Sequence, residues 1–279
     1  RPNYFHLINR KINNQKIVLY FHNDPLTMTG SKSVIDRKKL LIYATKIIFN
    51  SHWSRKRFLQ GIEGMHVNSE KIIVIYQSIS PTRVNLNKKK KWITFVGKLN
   101  TAKGYDLYGK AILKILLKHK DWSGIVIGDE PRQRLLFKHK RLKKFGFLEH
   151  KKVLNIYSKT SIAVACSRWN EPLGRTSLEA SSRGCAVIIS DRGGLPETIT
   201  HAIILKRLTA NSVYESINNL INNKIKMRNL QKLSYKNFHH THNAAVKMID
   251  NYRQTLTQKE VKYNNLIKKR ESIKILHVT

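Results

Sequence analysis

Short apolar segments alternate with segments of helical periodicity along most of the chain, and this alternation constrains the fold most strongly. The segments KIVLYF (16–21), KIIFN (46–50) and KIIVIY (71–76) have the length and β-branched content of buried strands. Polar residues and then helical spacing follow the first two. Strands that alternate with helices are typical of parallel sheets with crossover helices, so the chain is predicted to be an α/β protein.

The alternation stops once and then restarts, which indicates two domains. Ser80-Pro81 and the basic run 87–91 break the pattern. We therefore predict domains at 1–80 and 92–242, with a linker at 81–91 between them. The predicted strands of the second domain are 92–97, 124–128, 144–148, 162–166, 186–190 and 202–205. The predicted helices are 34–44, 53–60, 107–118, 151–158, 175–182, 212–222 and 226–238.

A last helix is predicted at 243–257, followed by a tail at 258–279. Ala245, Met248, Ile249 and Tyr252 form an apolar stripe along this helix at i, i+3, i+4 and i+7. The stripe needs a partner surface, so we expect the helix to pack back toward the N-terminal domain.

The chain is strongly basic. Its 53 Lys and Arg residues against 17 Asp and Glu give a net charge of +36 and a pI near 10.4. This charge predicts affinity for nucleic acid, anionic lipid or phosphorylated substrates without choosing among them. Abundant Lys, Asn and Ile also indicate an AT-rich genome. No apolar run approaches the roughly 18–20 residues that span a bilayer, and the first residues carry no signal-peptide core.

Cysteine and histidine spacing indicates no metal site. Cys166 and Cys185 lie in or beside apolar runs, which predicts buried free thiols of a reducing cytoplasm. The 12 histidines form neither HExxH nor HxxxH. No structural metal is predicted.

The most informative segment is CSRWNEPLGRTSLEA (166–180), between a predicted strand and a predicted helix. A helix that opens after Gly174 presents free N–H groups to a phosphate. Glu171 precedes this turn, and Glu179 lies about 7–8 Å along the helix, so the two carboxylates bracket the site. In the alternative interpretation Glu171 is a loop residue and Glu179 pairs with Arg175 at i, i+4.

Four segments together resemble family-4 retaining glycosyltransferases of the bacterial surface-polysaccharide type. EPLGRTSLEA (171–180) resembles the motif EPFGxxxLEA, and RGCAVI (183–188) and GGLPE (193–197) resemble the segments that follow it. VGKL with KG (96–104) resembles an upstream segment. The resemblance covers about 92–252. It implies a GT-B-like α/β fold of two Rossmann-like parallel-sheet domains, with the active site in the cleft between them.

The resemblance also assigns roles to individual residues. Glu171 and His22 would act at the donor sugar and acceptor, and Glu179 would bind the ribose. Lys98 stands where the family usually has Arg and so lacks the bidentate fork, and Leu173 replaces a common Phe. The implied diphosphate contacts are Lys98, Lys103 and the backbone N–H groups of Leu173, Gly174 and Arg175.

Alternative interpretations remain for the base-contact segment, for His22 and for Ser51. The base would lie near Phe147 and Leu148, but Phe145 and Phe147 could equally be core aromatics. His22 could be structural. The segment SHWS (51–54) resembles the S-x-W segment that follows a strand in the family, but Ser51 is interpreted first as a helix cap.

The resemblance implies transfer of a hexose from a UDP-, GDP- or ADP-sugar to a glycan or lipid-linked acceptor, with retention through front-face attack. It implies no cofactor and no metal, and a cytoplasmic protein, peripheral on an anionic inner membrane surface. One alternative is a fragment that binds nucleotide but is inactive. The other is a basic nucleic-acid-binding protein, although no helix-turn-helix, RNP or zinc-finger signature is present.

Both ends of the chain suggest a piece of a longer protein. The first half of the N-terminal domain of this family is missing, so we expect that domain to be incomplete and the chain to be N-terminally truncated. The last residues, IKILHVT (273–279), resemble the first strand of a further glycosyltransferase domain. We therefore expect a tandem protein.

Overall fold

A computed structural model describes residues 16–62, 70–80, 82–261 and 273–278. Pro81 of the predicted linker and residues 262–272 of the predicted tail lie outside this range. The described chain divides into two compact units, one of residues up to Ser78 together with those from His242 onward, the other of Ile79–Thr241. We call these the first and second units.

Strands and helices alternate as the sequence pattern predicts. The strands are β1 Lys16–Phe21, β2 Lys46–Phe49, β3 Ile72–Val74, β4 Lys90–Val96, β5 Ser123–Ile127, β6 Leu142–Lys144, β7 Thr160–Ala165, β8 Ala186–Ser190, β9 Ile203–Leu205 and β10 Ile273–Val278. The α-helices are α1 Val34–Tyr43, α2 His52–Leu59, α3 Tyr105–Lys118, α4 His150–Lys159, α5 Arg175–Ser182, α6 Ala210–Asn222, α7 Lys224–Lys236 and α8 His242–Val261.

The first unit is a four-stranded parallel sheet in the order β10-β1-β2-β3. On one face the rings of Phe21, Phe49 and Phe58 pack with centroids 5.1–5.5 Å apart. On the other face Tyr20 packs with neighbouring strand residues and with the apolar stripe of α8. Ala245, Ile249 and Tyr252 of that stripe take part, whereas Met248 is 46% exposed and does not.

The second unit is a six-stranded parallel sheet in the order β6-β5-β4-β7-β8-β9, covered on both faces. Both faces are covered because successive side chains of a strand point to opposite faces of the sheet. Val126 of β5 belongs to the cluster that contains α3 and α6, while its neighbours Ile125 and Ile127 belong to the cluster that contains α4 and α5. A sheet buried on both faces requires the nearly continuous apolar strands that the sequence contains.

The predicted fold class is confirmed, with corrections at two strands and one pair of side chains. β4 begins at Lys90, inside the predicted linker. The strand predicted at 144–148 lies at 142–144 instead. Gly146, with φ +62°, interrupts the extended backbone, and Phe145 and Phe147 are 46% and 86% exposed. Their alternative interpretation as core aromatics is therefore wrong.

The two cysteines are buried and free, as predicted. Burial raises the pKa of the Cys166 thiol to about 12. No group of three or more metal-ligating side chains occurs in the part of the chain that the structure describes. Within that same part, no helix combines the length and the apolar character that crossing a bilayer requires.

Candidate nucleotide-sugar site

A cavity of about 670 Å³ lies in the second unit, beyond the ends of β4 and β5. Ligands of open parallel sheets bind at this carboxyl edge because the loops that follow the strands meet there. The lining residues come from the ends of β4 and β5, from the loops that follow β4, β5 and β6, and from the first two turns of α4 and α5. They are Val96, Gly97, Lys98, Ile127, Gly128, Asp129, Phe147, Leu148, His150, Val153, Arg175 and Glu179.

Two glycines let the strand ends approach each other under the cavity. A Cβ atom on Gly128 would lie 1.9 Å from the carbonyl oxygen of Gly97, and Gly128 has φ +129°. The Gly97 N–H donates to the carbonyl of Ile127 at 3.0 Å. Any side chain at Gly128 would therefore separate the two strand ends and deform the cavity.

Helix α5 begins at the cavity without a side-chain cap. Its N-cap is Gly174, in the left-handed region at φ +99°. A Cβ atom there would lie 2.5 Å from Cδ2 of Leu195, so glycine is required. An uncapped N-terminus offers N–H groups and partial positive charge to an anion. Leu173, just before the cap, is buried.

The carboxylate of Glu179 is held between two cationic or protonatable groups. Nε2 of His150 lies 2.9 Å from Oε1 of Glu179, and a guanidinium nitrogen of Arg175 lies 3.5 Å from the same oxygen. Glu179 is buried, while the other two side chains are more than half exposed. The predicted i, i+4 pair of Arg175 and Glu179 is thus present, and it coexists with a position on the cavity wall.

Sequence reasoning missed His150. The residue begins α4 immediately after the predicted base-contact segment, and nothing in a single histidine marks it as a partner of Glu179, 29 positions away. It also missed Asp129, whose position directly after a buried strand is the usual signal for a site residue.

A second ion pair joins two predicted site residues to each other. Nζ of Lys103 lies 2.5 Å from Oε1 of Glu171. The Gly194 N–H donates a hydrogen bond of 2.6 Å to the backbone carbonyl oxygen of Glu171, and this bond fixes the loop that contains Glu171. Neither Lys103 nor Glu171 lines the cavity.

The cavity therefore brings together five of the predicted residues: Lys98, Phe147, Leu148, Arg175 and Glu179. Lys98 follows β4 directly and is exposed. Leu173 and Gly174 precede the helix that carries Arg175 into the wall.

A buried acid supports the loop after β5. Glu130 accepts hydrogen bonds from Arg132 at 2.8 Å and from Asn100 at 3.1 Å. The Arg132 guanidinium lowers the pKa of Glu130 to about 2, against a smaller opposing effect of desolvation. Because Asn100 also accepts the Lys103 N–H at 2.9 Å, Glu130 links the loops after β4 and β5.

His22 belongs to the first unit, at the end of β1. Its Nδ1 lies 2.8 Å from Nε2 of Gln77, and its ring lies 4.2 Å from the ring of Tyr20. The prediction for Ser51 is confirmed: its Oγ accepts the Ser54 N–H at 2.9 Å and caps α2.

A parallel α/β unit with a cavity at its strand ends and an uncapped helix beside it defines the class of open-sheet α/β domains that bind ligands at the carboxyl ends of their strands. The sequence assigns the family within that class. The profile of the glycosyl transferases group 1 matches residues 77–237, and the chain belongs to this family.

The chain is similar to two Bacillus subtilis proteins. One is YtcC, which is named as a glycosyltransferase by provisional assignment. The chain is 26% identical to it over 235 residues, which cover 71% of this chain and 58% of YtcC. It is 30% identical over 162 residues to spore coat protein SA, with 52% and 43% covered. The chain thus spans about half the length of these relatives.

Solved structures of glycosyltransferases have the same fold. Anabaena HepE, crystallised with UDP-glucose, superposes with a TM-score of 0.67 at 17% identity, over 87% of this chain and 72% of that one. A Rickettsia africae glycosyltransferase gives a TM-score of 0.69 at 18% identity, over 86% and 70%. These similarities agree with the predicted GT-B-like class.

Proposed function

We propose that the chain is a retaining glycosyltransferase that moves a hexose from a nucleotide-sugar to a glycan or lipid-linked acceptor. One observation carries the proposal: a single cavity contains a cation, an uncapped helix N-terminus and a buried carboxylate. A diphosphate needs the first two, and ribose hydroxyls need a fixed acceptor such as the third.

The diphosphate is assigned to Lys98 and the start of α5, with the backbone N–H groups of Leu173, Gly174 and Arg175. In retaining transfer by front-face attack, negative charge develops on the departing diphosphate. Groups that already point at this charge stabilise the transition state more than the ground state. Lys98 serves as a mobile point charge here, since it lacks the fork of an arginine.

The nucleoside is assigned to the other side of the cavity. Glu179 would accept hydrogen bonds from the ribose hydroxyls, and the exposed ring of Phe147, with Leu148, would cover the base. HepE was crystallised with UDP-glucose, which supports a nucleotide-sugar as the donor, and UDP as one candidate carrier beside GDP and ADP.

The donor sugar is assigned to Glu171, and His22 of the first unit is assigned to the acceptor side. Lys103 neutralises Glu171 in this structure. We expect it to contribute to the diphosphate site by exchanging that carboxylate for phosphate when the donor binds. A mannosyltransferase of lipopolysaccharide core biosynthesis, LpsB of Rhizobium meliloti, is 30% identical over 127 residues, which supports a surface-polysaccharide role.

The first experiment is isothermal titration of the chain with UDP, GDP and ADP. We expect one of them to bind, and Glu179→Ala to weaken that binding about tenfold through loss of the ribose contact. Glu215→Ala, an exposed acid on α6, is the matched control. A folded chain that binds none of the three would contradict the proposal.

A second assay separates an active enzyme from a fragment that only binds. Release of nucleoside diphosphate from the donor sugar, with and without acceptor, measures turnover. Binding without release would favour the inactive-fragment alternative.

A further inference from the structure

A second cavity, of about 440 Å³, lies in the second unit and shares no lining residue with the cavity at Glu179. We call it the Arg83 cavity. Its volume is within the roughly 300–1,000 Å³ that small-molecule sites occupy, and the proposed sugar transfer does not use it. The lining residues are Thr82, Arg83, Ser182, Tyr235, Lys236, Phe238 and Thr241.

Hydrogen bonds fix the walls of the Arg83 cavity. The Tyr235 hydroxyl donates to the carbonyl oxygen of Thr82 at 2.9 Å and accepts the Val84 N–H at 3.1 Å. These two bonds fasten the segment before β4 to helix α7. Ser182, at the end of α5, is buried, and its Oγ donates to the carbonyl oxygen of Glu179 at 2.7 Å. The cavity is therefore bounded by elements that are held in place without a ligand.

Three cationic side chains surround the Arg83 cavity. Arg83 and Lys236 line it and are exposed. Within the described chain, neither of them forms an ion pair or a side-chain hydrogen bond. The third cation, Arg183, lies directly behind the wall, where its guanidinium donates to Oγ of Ser182 at 3.2 Å. The positive charge of all three is thus directed at one small space.

Arg183 is a buried cation whose hydrogen-bond acceptors are neutral. It is 3% exposed, and besides Ser182 its guanidinium contacts the carbonyl oxygen of Ser80 at 3.2 Å. Burial lowers the pKa of Arg183, and the more distant charge of Glu179 offsets this only in part. Nζ of Lys89 also donates to the Arg183 carbonyl oxygen, at 2.6 Å, which adds another cation nearby. A buried charge without a counter-charge is costly, so an anion in the cavity would stabilise this arrangement.

Helix ends explain only one of these cations. Lys236 lies in the last turn of α7, where a cation stabilises the helix dipole. Arg83 precedes β4 and has no such role. The carbonyl oxygens of Ala180 and Leu233, near the ends of α5 and α7, already accept backbone N–H groups. The charge of Arg83 is therefore available to a ligand.

Two half-buried rings indicate the rest of the ligand. Tyr235 and Phe238 line the cavity together with the cations. A guanidinium and an ammonium group suit the oxygens of a phosphate, and aromatic rings offer apolar contact to an organic group attached to it. An inorganic ion would use only the first of these features.

We propose that the Arg83 cavity binds a small phosphate monoester whose organic group packs against Tyr235 and Phe238. This inference does not depend on the proposed sugar transfer, which is assigned to the other cavity.

The test is isothermal titration of the full chain with phenyl phosphate, inorganic phosphate and phenol. We expect phenyl phosphate to bind about fivefold more tightly than inorganic phosphate, because the ring adds apolar contact, and phenol not to bind. Arg83→Gln/Lys236→Gln should weaken the binding of phenyl phosphate about tenfold or more. Thr82→Trp retains every charge but fills the cavity, so it should abolish binding.

Two controls locate the bound phenyl phosphate. Lys98→Ala removes the cation of the cavity at Glu179 and should leave the binding unchanged. Lys224→Gln/Lys226→Gln removes two exposed cations at the opposite end of α7 and should also leave it unchanged. Urea unfolding curves show which variants keep the wild-type fold.

Four results would overturn the proposal. The first is a folded wild-type chain that does not bind phenyl phosphate at millimolar concentration. The second is equal affinity for inorganic phosphate, which would exclude a role for the two rings. The third is an equal loss of binding in Lys224→Gln/Lys226→Gln, which would show a general effect of the net charge. The fourth is a loss in Lys98→Ala but not in Arg83→Gln/Lys236→Gln, which would place the ligand in the cavity at Glu179.

Discussion

The imidazole of His150 lies against the buried carboxylate of Glu179, with Nε2 2.9 Å from Oε1. The two side chains line the same cavity, and they come from the first turn of α4 and the second turn of α5. The carboxylate is thus fixed in direction before any ligand arrives. If Glu179 binds the ribose, His150 is a positioning residue for it.

His150→Ala should weaken nucleotide binding about fivefold, because one hydrogen bond that orients Glu179 is worth about 1 kcal/mol. His150→Gln retains a donor and should recover part of the loss. Isothermal titration measures both, with His201→Ala on the loop before β9 as the control. No change in either variant would show that Glu179 is oriented without His150.

Glu171→Gln should lower turnover roughly a hundredfold without weakening the binding of nucleoside diphosphate, since Lys103 then has no carboxylate to exchange for phosphate. The reason is that Glu171 is assigned to the sugar, whereas the diphosphate contacts of Lys98 and α5 remain. Steady-state kinetics and titration together test this. Glu149→Gln, which removes an exposed acid beside Lys152, is the control. An equal loss in affinity and turnover would show that Glu171 acts at the diphosphate site and not at the sugar.

Gly104→Ala should destabilise the second unit by about 3 kcal/mol or more. Gly104 has φ +75°, and a Cβ atom there would lie 1.9 Å from the carbonyl oxygen of Cys166. Gly146→Ala is the matched control, since Gly146 has φ +62° but nothing lies within 4 Å of its added Cβ. That variant should lose only about 1 kcal/mol, from the backbone alone. Urea unfolding compares the two, and similar losses would contradict the steric argument.

Acid should destabilise the chain through His240. Burial, and next the nearby charge of His239, lower the pKa of His240 from 6.5 to about 4. The unfolded chain therefore takes up the proton first, so the stability is complete above pH 6.5 and falls as the pH decreases toward 4. The shift corresponds to at most about 3 kcal/mol.

His240→Gln should remove that part of the pH dependence, and His201→Gln should not. The measurement is the free energy of unfolding in urea at a series of pH values. Parallel curves for His240→Gln and the wild type would exclude His240 as the titrating group.

Local signals in the sequence were enough to predict helix α5 and strand β8. Gly174 opens the helix, Gly184 follows its end, and both elements have the predicted bounds. The β6 segment failed because Phe145 and Phe147 have the alternation of a strand, while Gly146 turns the backbone. Strand propensity could not detect a turn of that kind.

Contacts between distant segments could not be predicted from the sequence. Lys103 and Glu171 were each assigned to the donor, and their pairing with each other depends on where the loops after β4 and β7 meet. His150 can be recognised as a site residue only because α4 and α5 lie side by side in the structure. A site composed of loops from several strands is defined by the sheet order, which no single motif encodes.

The parallel pairing of β1 with β10 has a consequence for the order in which the chain acquires its structure during synthesis. Lys16 is aligned with Ile273, so the first unit draws its sheet from both ends of the described chain, whereas the second unit is one continuous segment. Because the ribosome releases the chain from its N-terminus, residues 79–241 can complete their sheet before β10 has been synthesised. The β1–β10 pair therefore joins segments that are far apart in the chain, and contacts of such long sequence separation form late because the intervening loop must close first.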